Sequence, residues 1–138
     1  MALTRFGISL ELDLLGRFDR MIAARGWANR SEAIRDLIRD ALVKEEWEAG
    51  KEETAGTITL VYSHDTRELS ETLNDIQHHY HSSIVSTMHI HLDAHRCLEV
   101  VVVKGRTKDI KTIADRLRGT KGVIHGDLSM TTTGRHIK

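Results

Sequence analysis

The most constraining feature of this sequence is a strand pattern near its start that has no partner in its own part of the chain. Between Thr4 and Leu10, three apolar residues alternate with polar or small ones, which predicts a half-buried strand. Two helix patterns follow, and no second strand pattern lies among them. A lone strand leaves its backbone N–H and C=O groups without hydrogen bonds. We therefore expect this strand to pair with its counterpart across a dimer.

The two helix patterns complete a βαα domain. The first has an apolar stripe and ends at Gly26, a residue typical of helix ends. Asn29 is typical of a helix cap, and Glu32 three residues later can complete a capping box. The second apolar stripe fades into a charged segment. These patterns predict a first domain over residues 1–48 and a linker over residues 49–56.

The rest of the chain alternates strand and helix patterns in the order βαββαβ. This order is typical of a ferredoxin-like domain, so the whole chain is expected to be an α+β protein. We expect the second domain over residues 57–133 and a loose tail over 134–138. The predicted strands are 57–63, 84–92, 96–104 and 122–130, and the predicted helices are 67–79 and 107–117.

Charge and cysteine content narrow the functional classes. The chain has 20 basic and 20 acidic residues, and residues 1–50 carry eight basic and nine acidic side chains. The first domain lacks the positive charge of a typical DNA-binding domain, so any DNA contact must depend on locally placed residues. The single cysteine excludes an internal disulfide framework and fits a reducing compartment. With neither a membrane-length apolar run nor a signal-peptide pattern, the expectation is a cytoplasmic protein without membrane contact.

Three metal-ligand side chains converge on the predicted central hairpin. If residues 93–95 form the loop, His91 lies opposite Cys97, and His89 lies opposite Glu99. Strand alternation puts these four side chains on one face of the sheet. We expect the other face, which is uniformly apolar, to pack under the domain's own helices. The face with the histidines is then open and meets another subunit.

A transition metal is the expected occupant of this face, because two imidazoles and one thiol suit zinc, nickel or copper. A fourth ligand is expected from His78, His79 or His81, near the end of the preceding helix. That helix is expected to cover the opposite face of its own sheet, so its histidine reaches only a neighbouring chain's site. The alternative is a polar interface without a metal. A catalytic zinc site with Glu99 as general base is disfavoured, because four ligands leave no open position.

The sequence resembles the nickel-responsive transcriptional regulators, which join a ribbon-helix-helix DNA-binding domain to an ACT-like metal-binding domain. The matching segments are residues 5–10, 29–36, 77–81, 88–91, 97–99 and 122–126. The resemblance implies a Ni(II) site formed by His89, His91 and Cys97 of one chain and His78 of a second. Glu99 can bind the metal directly or hydrogen-bond to a ligand, and the second role is favoured because a metal-bound histidine usually needs an oriented partner. Gln77 is expected to support the ligands in the same way. The resemblance further implies a homotetramer made of two dimers, and a repressor of nickel-uptake genes.

The resemblance also implies how the first domain contacts DNA. Alternate strand positions face the base edges, and these positions hold Arg5, Gly7 and Ser9. The start of the second helix is expected to hold a phosphate with backbone N–H groups. The residues at this helix start are Asn29, Arg30 and Ser31. Because the DNA-binding unit is a symmetric dimer, the expected operator is a palindrome in double-stranded DNA.

Two alternatives stay open at this stage. Glu32 and Asp36 lie four residues apart on one helix face. They can pair with Arg35 and Arg39, or they can share a hard cation with the other domain. The second alternative concerns the signal: a ribbon-helix-helix regulator of this design can sense another transition metal or a small molecule.

Overall fold

The computed structural model describes residues 2–137, and the chain forms two compact units, residues 1–40 and 41–138. The first unit contains α1 (Leu12–Arg25) and the beginning of α2 (Arg30–Ala49). The boundary between the units therefore lies inside α2, ahead of the predicted domain boundary at residue 48.

The ends of these helices are set by the two sequence signals that predicted them. Gly26 adopts a left-handed conformation with φ of 76°, and its N–H donates to the carbonyl of Ile22. A residue with a side chain rarely adopts this conformation, so glycine ends α1 here. At the start of α2, the Glu32 N–H donates to Asn29 Oδ1 at 2.9 Å. The predicted cap is confirmed.

The segment before α1 has no strand partner within residues 2–137. Residues 2–11 form no strand there, so the predicted ribbon over residues 4–10 makes no ladder hydrogen bonds in the single chain. This is the expected behaviour of a strand whose partner is a second chain. Its apolar side chains face water, with Phe6 70% and Ile8 64% exposed.

The first unit buries little apolar surface on its own. Among its described residues, Ile22 and Ala33 are the only buried apolar ones. An open groove of about 640 Å³ lies between the N-terminal segment and the two helices. Its apolar lining consists of Ile8, Leu10, Leu14, Leu15, Phe18, Ile34 and Leu37. A large exposed apolar surface of this kind marks an interaction site.

The second unit has the predicted βαββαβ order. Its elements are β1 (Glu53–Ser63), α3 (Leu69–His79), β2 (Ile84–His91), β3 (Arg96–Arg106), α4 (Thr107–Arg118) and β4 (Val123–Thr131). The strands form one antiparallel sheet in the order β2-β3-β1-β4. The ferredoxin-like prediction is confirmed. The first strand begins at Glu53 rather than Thr57, because Thr54 and Gly56 continue its buried alternation. Residues 53–56 of the predicted linker thus belong to the sheet.

The predicted assignment of the two sheet faces is wrong. Odd-numbered residues of β3 from 97 to 103 are buried in the core that includes α3 and α4. Even-numbered residues from 98 to 102 are half-buried on the opposite face. The face that carries Cys97 is therefore the helix-covered one.

The reason lies in the pairing of β1 with β3. Ile58 pairs with Val101, and Tyr62 pairs with Cys97, so the buried even residues of β1 share a face with the odd residues of β3. Both faces of β3 are apolar, and its own pattern cannot identify the buried one. The threonines at 57 and 59 in β1 identify it, because they alternate with fully buried apolar residues.

The other face of the sheet carries an apolar patch. Met88 is 54% exposed and Ile90 is 38% exposed on the edge strand β2. They pair with Val100 and Leu98 of β3. We call Met88, Ile90, Leu98, Val100 and Val102 the open-face patch. The sequence pattern predicts that the helices cover this patch, whereas in the structure they cover the face with the histidines.

A glycine in β1 allows this sheet to pack closely, and we expect the Gly56→Ala variant to be destabilised by about 1–3 kcal/mol. A Cβ at this position comes within 2.9 Å of the backbone carbonyl oxygen of Ser129, which cannot rotate away. The Gly7→Ala variant is the control, because no atom lies within 4 Å of its added Cβ. Thermal unfolding at one fixed protein concentration compares them. Equal melting temperatures for both variants contradict the expectation.

Candidate metal centre and nucleic-acid interface

The β2–β3 hairpin holds its donor residues in the predicted register. His91 pairs with Cys97, and His89 pairs with Glu99. The turn is fixed by Asp93, whose carboxylate accepts the backbone N–H groups of His95 at 2.9 Å and Arg96 at 2.8 Å. These two hydrogen bonds lower the pKa of the Asp93 carboxyl. A short, well-capped turn therefore fixes which side chains face each other across the hairpin.

Three donor side chains form a cluster at the end of this hairpin. The Nδ1 atom of His91 lies 3.7 Å from the Sγ atom of Cys97. Ligand atoms of His64, His91 and Cys97 all lie within 4.8 Å of one another. The cysteine is fully buried, whereas both imidazoles reach the surface. Burial raises the pKa of the Cys97 thiol, and the negative charge of Glu99 raises it further.

No local sequence pattern predicts a metal role for His64, but the structure places it in the cluster. Ser63 pairs with Arg96 at the end of the β1–β3 ladder, and the His64 N–H donates to the carbonyl of His95 at 2.9 Å. His64 follows Tyr62 by two residues, so strand alternation points it to the face of Cys97. The signal that could have found it is the register between β1 and β3.

His89 belongs to a second, hydrogen-bonded network. Its Nδ1 atom lies 3.2 Å from the Tyr62 hydroxyl and 3.6 Å from a Glu99 carboxylate oxygen. The Gln77 side-chain amide donates to Glu99 at 3.0 Å and accepts the Thr87 hydroxyl at 2.8 Å. Gln77 and Glu99 are both buried. The two residues predicted to support the ligands thus lie in a network that ends at His89.

Tyr62 is a member of this network that sequence reasoning missed. Its side chain is buried, and burial raises its pKa, with the charge of Glu99 adding to the effect. The phenol therefore keeps its proton, and its oxygen can accept a hydrogen bond from the His89 Nδ1–H. With its proton on Nδ1, His89 has the Nε2 lone pair left for a metal.

His78 lies on the exposed surface at the end of α3. It lines an open groove with Asn74, Gln77, His81 and Ile84. Among residues 2–137, the close donor cluster includes neither His78 nor His89. Of the four predicted ligands, the structure brings His91 and Cys97 into one cluster within the chain. The expectation that α3 covers the face opposite to these donors is wrong, because α3 packs on the same face of the sheet that carries Cys97.

The donor chemistry fits a borderline transition metal. Thiolate sulfur and imidazole nitrogen are preferred by nickel, zinc and copper, whereas calcium and magnesium prefer oxygen. The Cys97 thiol and the His91 imidazole already lie close enough to share one ion. The residues present therefore fit Ni(II), and His91 and Cys97 are the two predicted ligands that already lie together within one chain.

The predicted DNA-contact residues lie on the surface of the first unit. Arg5, Gly7 and Ser9 are exposed, but so is every residue from 2 to 14 in the single chain, so their assignment to the outer face of a ribbon stays a prediction. Arg30 forms a bidentate ion pair with Asp19, with distances of 2.9 Å and 2.8 Å, and this hydrogen bonding lowers the pKa of the Asp19 carboxyl. Ser31 is exposed, whereas the Asn29 side chain caps α2.

The carboxylates considered for a second cation have protein partners. Glu32 pairs with Arg35, and Asp36 pairs with Arg39 at 3.3 Å. Asp36 also accepts the Trp27 indole N–H at 2.7 Å. These contacts match the alternative of local ion pairs on one helix face.

Comparisons with known proteins agree with both halves of this description. The family described as ribbon-helix-helix protein, copG family, matches residues 4–45. The family described as NikR C terminal nickel binding domain matches residues 55–131. A structure of an uncharacterized protein from Thermotoga maritima has a TM-score of 0.53 and 16% identity, and it covers 59% of this chain and 100% of that one. This last likeness concerns the fold alone.

Full-length relatives give the same result. A protein assigned as a nickel-responsive regulator in Geobacter metallireducens is 59% identical, over 96% of each chain. Proteins with the same assignment in Pyrococcus furiosus and Thermococcus kodakarensis are 58% and 55% identical, over 99% of each chain. None of the helices in residues 2–137 is long and apolar enough to cross a membrane.

Two family matches and full-length relatives thus agree with a DNA-binding fold at one end of the chain and a metal-binding fold at the other. The protein is a transcriptional regulator and not an enzyme. The chain belongs to the nickel-responsive regulator family.

Proposed function

We propose that this protein represses nickel-uptake genes when Ni(II) occupies a site made of three imidazoles and one thiolate. The ligands are His89, His91 and Cys97 of one chain and His78 of a second chain. The observation that carries this proposal is the pairing of His91 with the buried Cys97, 3.7 Å apart, in a chain of this family. Because its target is chromosomal DNA, the protein acts in the cytoplasm.

The supply of His78 by a second chain is supported by its surface position. The preceding residue, Gln77, is buried against Glu99, whereas His78 is exposed. Adjacent helix positions point about 100° apart, so the two side chains cannot share one direction. A second chain packed against α3 can receive this imidazole in its own His91–Cys97 pair.

The proposed assembly is a dimer of dimers. The first unit leaves its groove and the apolar side of its ribbon exposed, which supports pairing of two N-terminal segments into an antiparallel ribbon. The second unit leaves the open-face patch exposed, which supports contact between second units. Two different apolar surfaces on one small chain allow each copy to contact two others.

The paired ribbon provides the DNA-reading surface. Arg5, Gly7 and Ser9 alternate on its outer side, and a two-stranded ribbon fits the major groove of B-DNA. The backbone N–H groups at Asn29, Arg30 and Ser31 are placed at a helix start, where they can hold a phosphate. Two-fold symmetry of the ribbon calls for a palindromic operator.

Nickel control follows from linkage. Glu99 lies beside His89 and accepts a hydrogen bond from Gln77, which precedes His78 on α3. A metal that fixes His89 of one chain and His78 of another therefore also fixes α3. If the DNA-binding arrangement binds nickel more tightly, nickel must tighten DNA binding by the same factor.

We expect Cys97→Ala to lose nickel-dependent DNA binding, because it removes the only thiolate donor of the chain. The expected loss of nickel affinity exceeds the roughly 10–100-fold typical of outer-shell partners. Nickel titration and footprinting on a nickel-uptake promoter measure the two effects. His125→Ala, which removes an exposed histidine of β4, is expected to leave both unchanged. Nickel-dependent protection that survives in Cys97→Ala contradicts the proposed site. Protection of the promoter that responds to Zn(II) or Cu(II) but not to Ni(II) identifies another metal as the signal.

The ribbon is tested with Arg5→Ala. Loss of a bidentate contact to a guanine is expected to weaken specific DNA binding by about 1–3 kcal/mol and to relax discrimination at one base position. Arg135→Ala, which removes an exposed arginine outside the first unit, serves as the control. Dissociation constants for operator and scrambled DNA, measured at one salt concentration, give the specificity ratio of each variant. If Arg5→Ala weakens binding to both DNAs equally, Arg5 contacts the phosphates and not a base.

The assembly is tested with Ile90→Glu, which places a charge in the open-face patch. Burying that charge against another chain is unfavourable, so the tetramer is expected to dissociate to dimers. Ile124→Glu is the matched control, because Ile124 is 62% exposed on β4, at the opposite edge of the sheet. Light scattering after size exclusion gives the mass of each variant. A tetramer that persists in Ile90→Glu shows that this patch is not the interface.

A further inference from the structure

We infer that His64, His91 and Cys97 form a metal site within a single chain, as an alternative to the four-ligand site between chains. This inference rests on the proposed function, because it describes how nickel reaches the shared site. Its ligand is a divalent transition metal of borderline softness, such as Ni(II) or Zn(II). The two sites share His91 and Cys97 and differ in their other ligands.

The first argument is the distance among the donor atoms. All three lie within 4.8 Å of one another, and the His91 and Cys97 donor atoms are 3.7 Å apart. The imidazoles of His64 and His91 meet edge to face with ring centroids 5.2 Å apart. A metal–sulfur distance of ~2.3 Å and metal–nitrogen distances of ~2.0 Å place donor atoms about 3–4 Å apart around one ion. Small side-chain rotations therefore suffice to complete a three-donor site.

The second argument is that His64 is held in this position by the sheet. Its backbone N–H donates to the carbonyl of His95 at 2.9 Å, which extends the β1–β3 ladder. The carboxylate of Asp65 lies 3.7 Å from His64 Nε2 and 2.5 Å from His95 Nδ1. This negative charge beside the imidazole favours a nearby cation. His64 is therefore anchored at its backbone and free to turn only at its side chain.

The third argument is the position of His89. Its Nδ1 atom faces Tyr62 and Glu99, and the ligand cluster does not include it. Its ring centroid lies 5.1 Å from that of His91, so a modest rearrangement brings it to the same metal. The structure thus corresponds to a chain in which His64 occupies the place beside His91 and Cys97.

Together these observations describe a ligand exchange. A single chain first holds the metal with three donors, and water fills the remaining positions. When the second chain presents His78, His89 joins from the first chain and His64 leaves the metal. The oxidation state of the metal does not change. The Cys97 thiol releases its proton to water when it binds the metal, and the thiolate then stays bound throughout. The metal therefore enters from the surface side of the cluster, where His64 is exposed.

The test uses a background in which the site between chains cannot form. In the full-length His78→Ala protein, one Ni(II) per chain is expected to bind, with thiolate-to-nickel charge-transfer absorption. In His78→Ala/His64→Ala, the affinity is expected to fall by at least about tenfold. His78→Ala/His125→Ala is the matched control and is expected to behave like His78→Ala. Equilibrium dialysis gives affinity and stoichiometry, and thermal unfolding of each metal-free variant verifies the fold.

A second measurement uses the otherwise native chain. His64→Ala alone is expected to slow the rise of the charge-transfer absorption after rapid mixing with Ni(II), while the final spectrum stays that of the native protein. The inference is overturned if His78→Ala binds no Ni(II), or if adding His64→Ala changes neither affinity nor rate. These failures leave the proposed function intact as long as nickel-dependent DNA binding of the native chain still requires Cys97.

Discussion

The antiparallel pairing of β1 with β3 is the constraint on which the site depends. It sets Tyr62 opposite Cys97 and so decides that the thiol lies beneath the helices. The same pairing carries the chain on to His64, next to the hairpin that bears the other donors. A one-residue shift in this register moves every side chain of β1 to the other face. The metal donors and the hydrophobic core are therefore specified by one set of hydrogen bonds.

This dependence explains which features could be predicted from the sequence. The elements and their order follow from local patterns, and the pairing of His91 with Cys97 follows from a short turn. The buried face of β3 could not be predicted from β3 itself, because both of its faces are apolar. Which face of β3 is buried depends on its pairing with β1, more than 30 positions earlier in the chain. For the same reason, local patterns in the sequence could not find the role of His64, whereas they did identify the hairpin donors.

Both units of the chain leave apolar side chains exposed to solvent. The first unit buries Ile22 and Ala33 among its described apolar residues, and the second leaves Met88 and Ile90 exposed. A chain of 138 residues divided into two lobes has too little core in each lobe to cover its own apolar surface. In the proposed assembly, association with further copies supplies the missing cover. Folding, metal binding and DNA binding would then be linked to one association equilibrium, and each of them would respond to protein concentration.

Linkage to assembly also limits how tightly one chain alone should hold its metal. A single-chain site that saturated at low nickel would keep the metal without requiring a second chain, and the metal would then carry no information about DNA binding. In the proposed exchange, three donors, one of them the exposed His64, bind the metal more weakly than four donors from two chains. High affinity for the metal would then require His78 of the second chain. Nickel can shift the assembly toward the DNA-binding form only by as much as it binds the four-donor site more tightly than the three-donor site. Because coupling is reciprocal, this difference in nickel affinity is the upper limit of that shift.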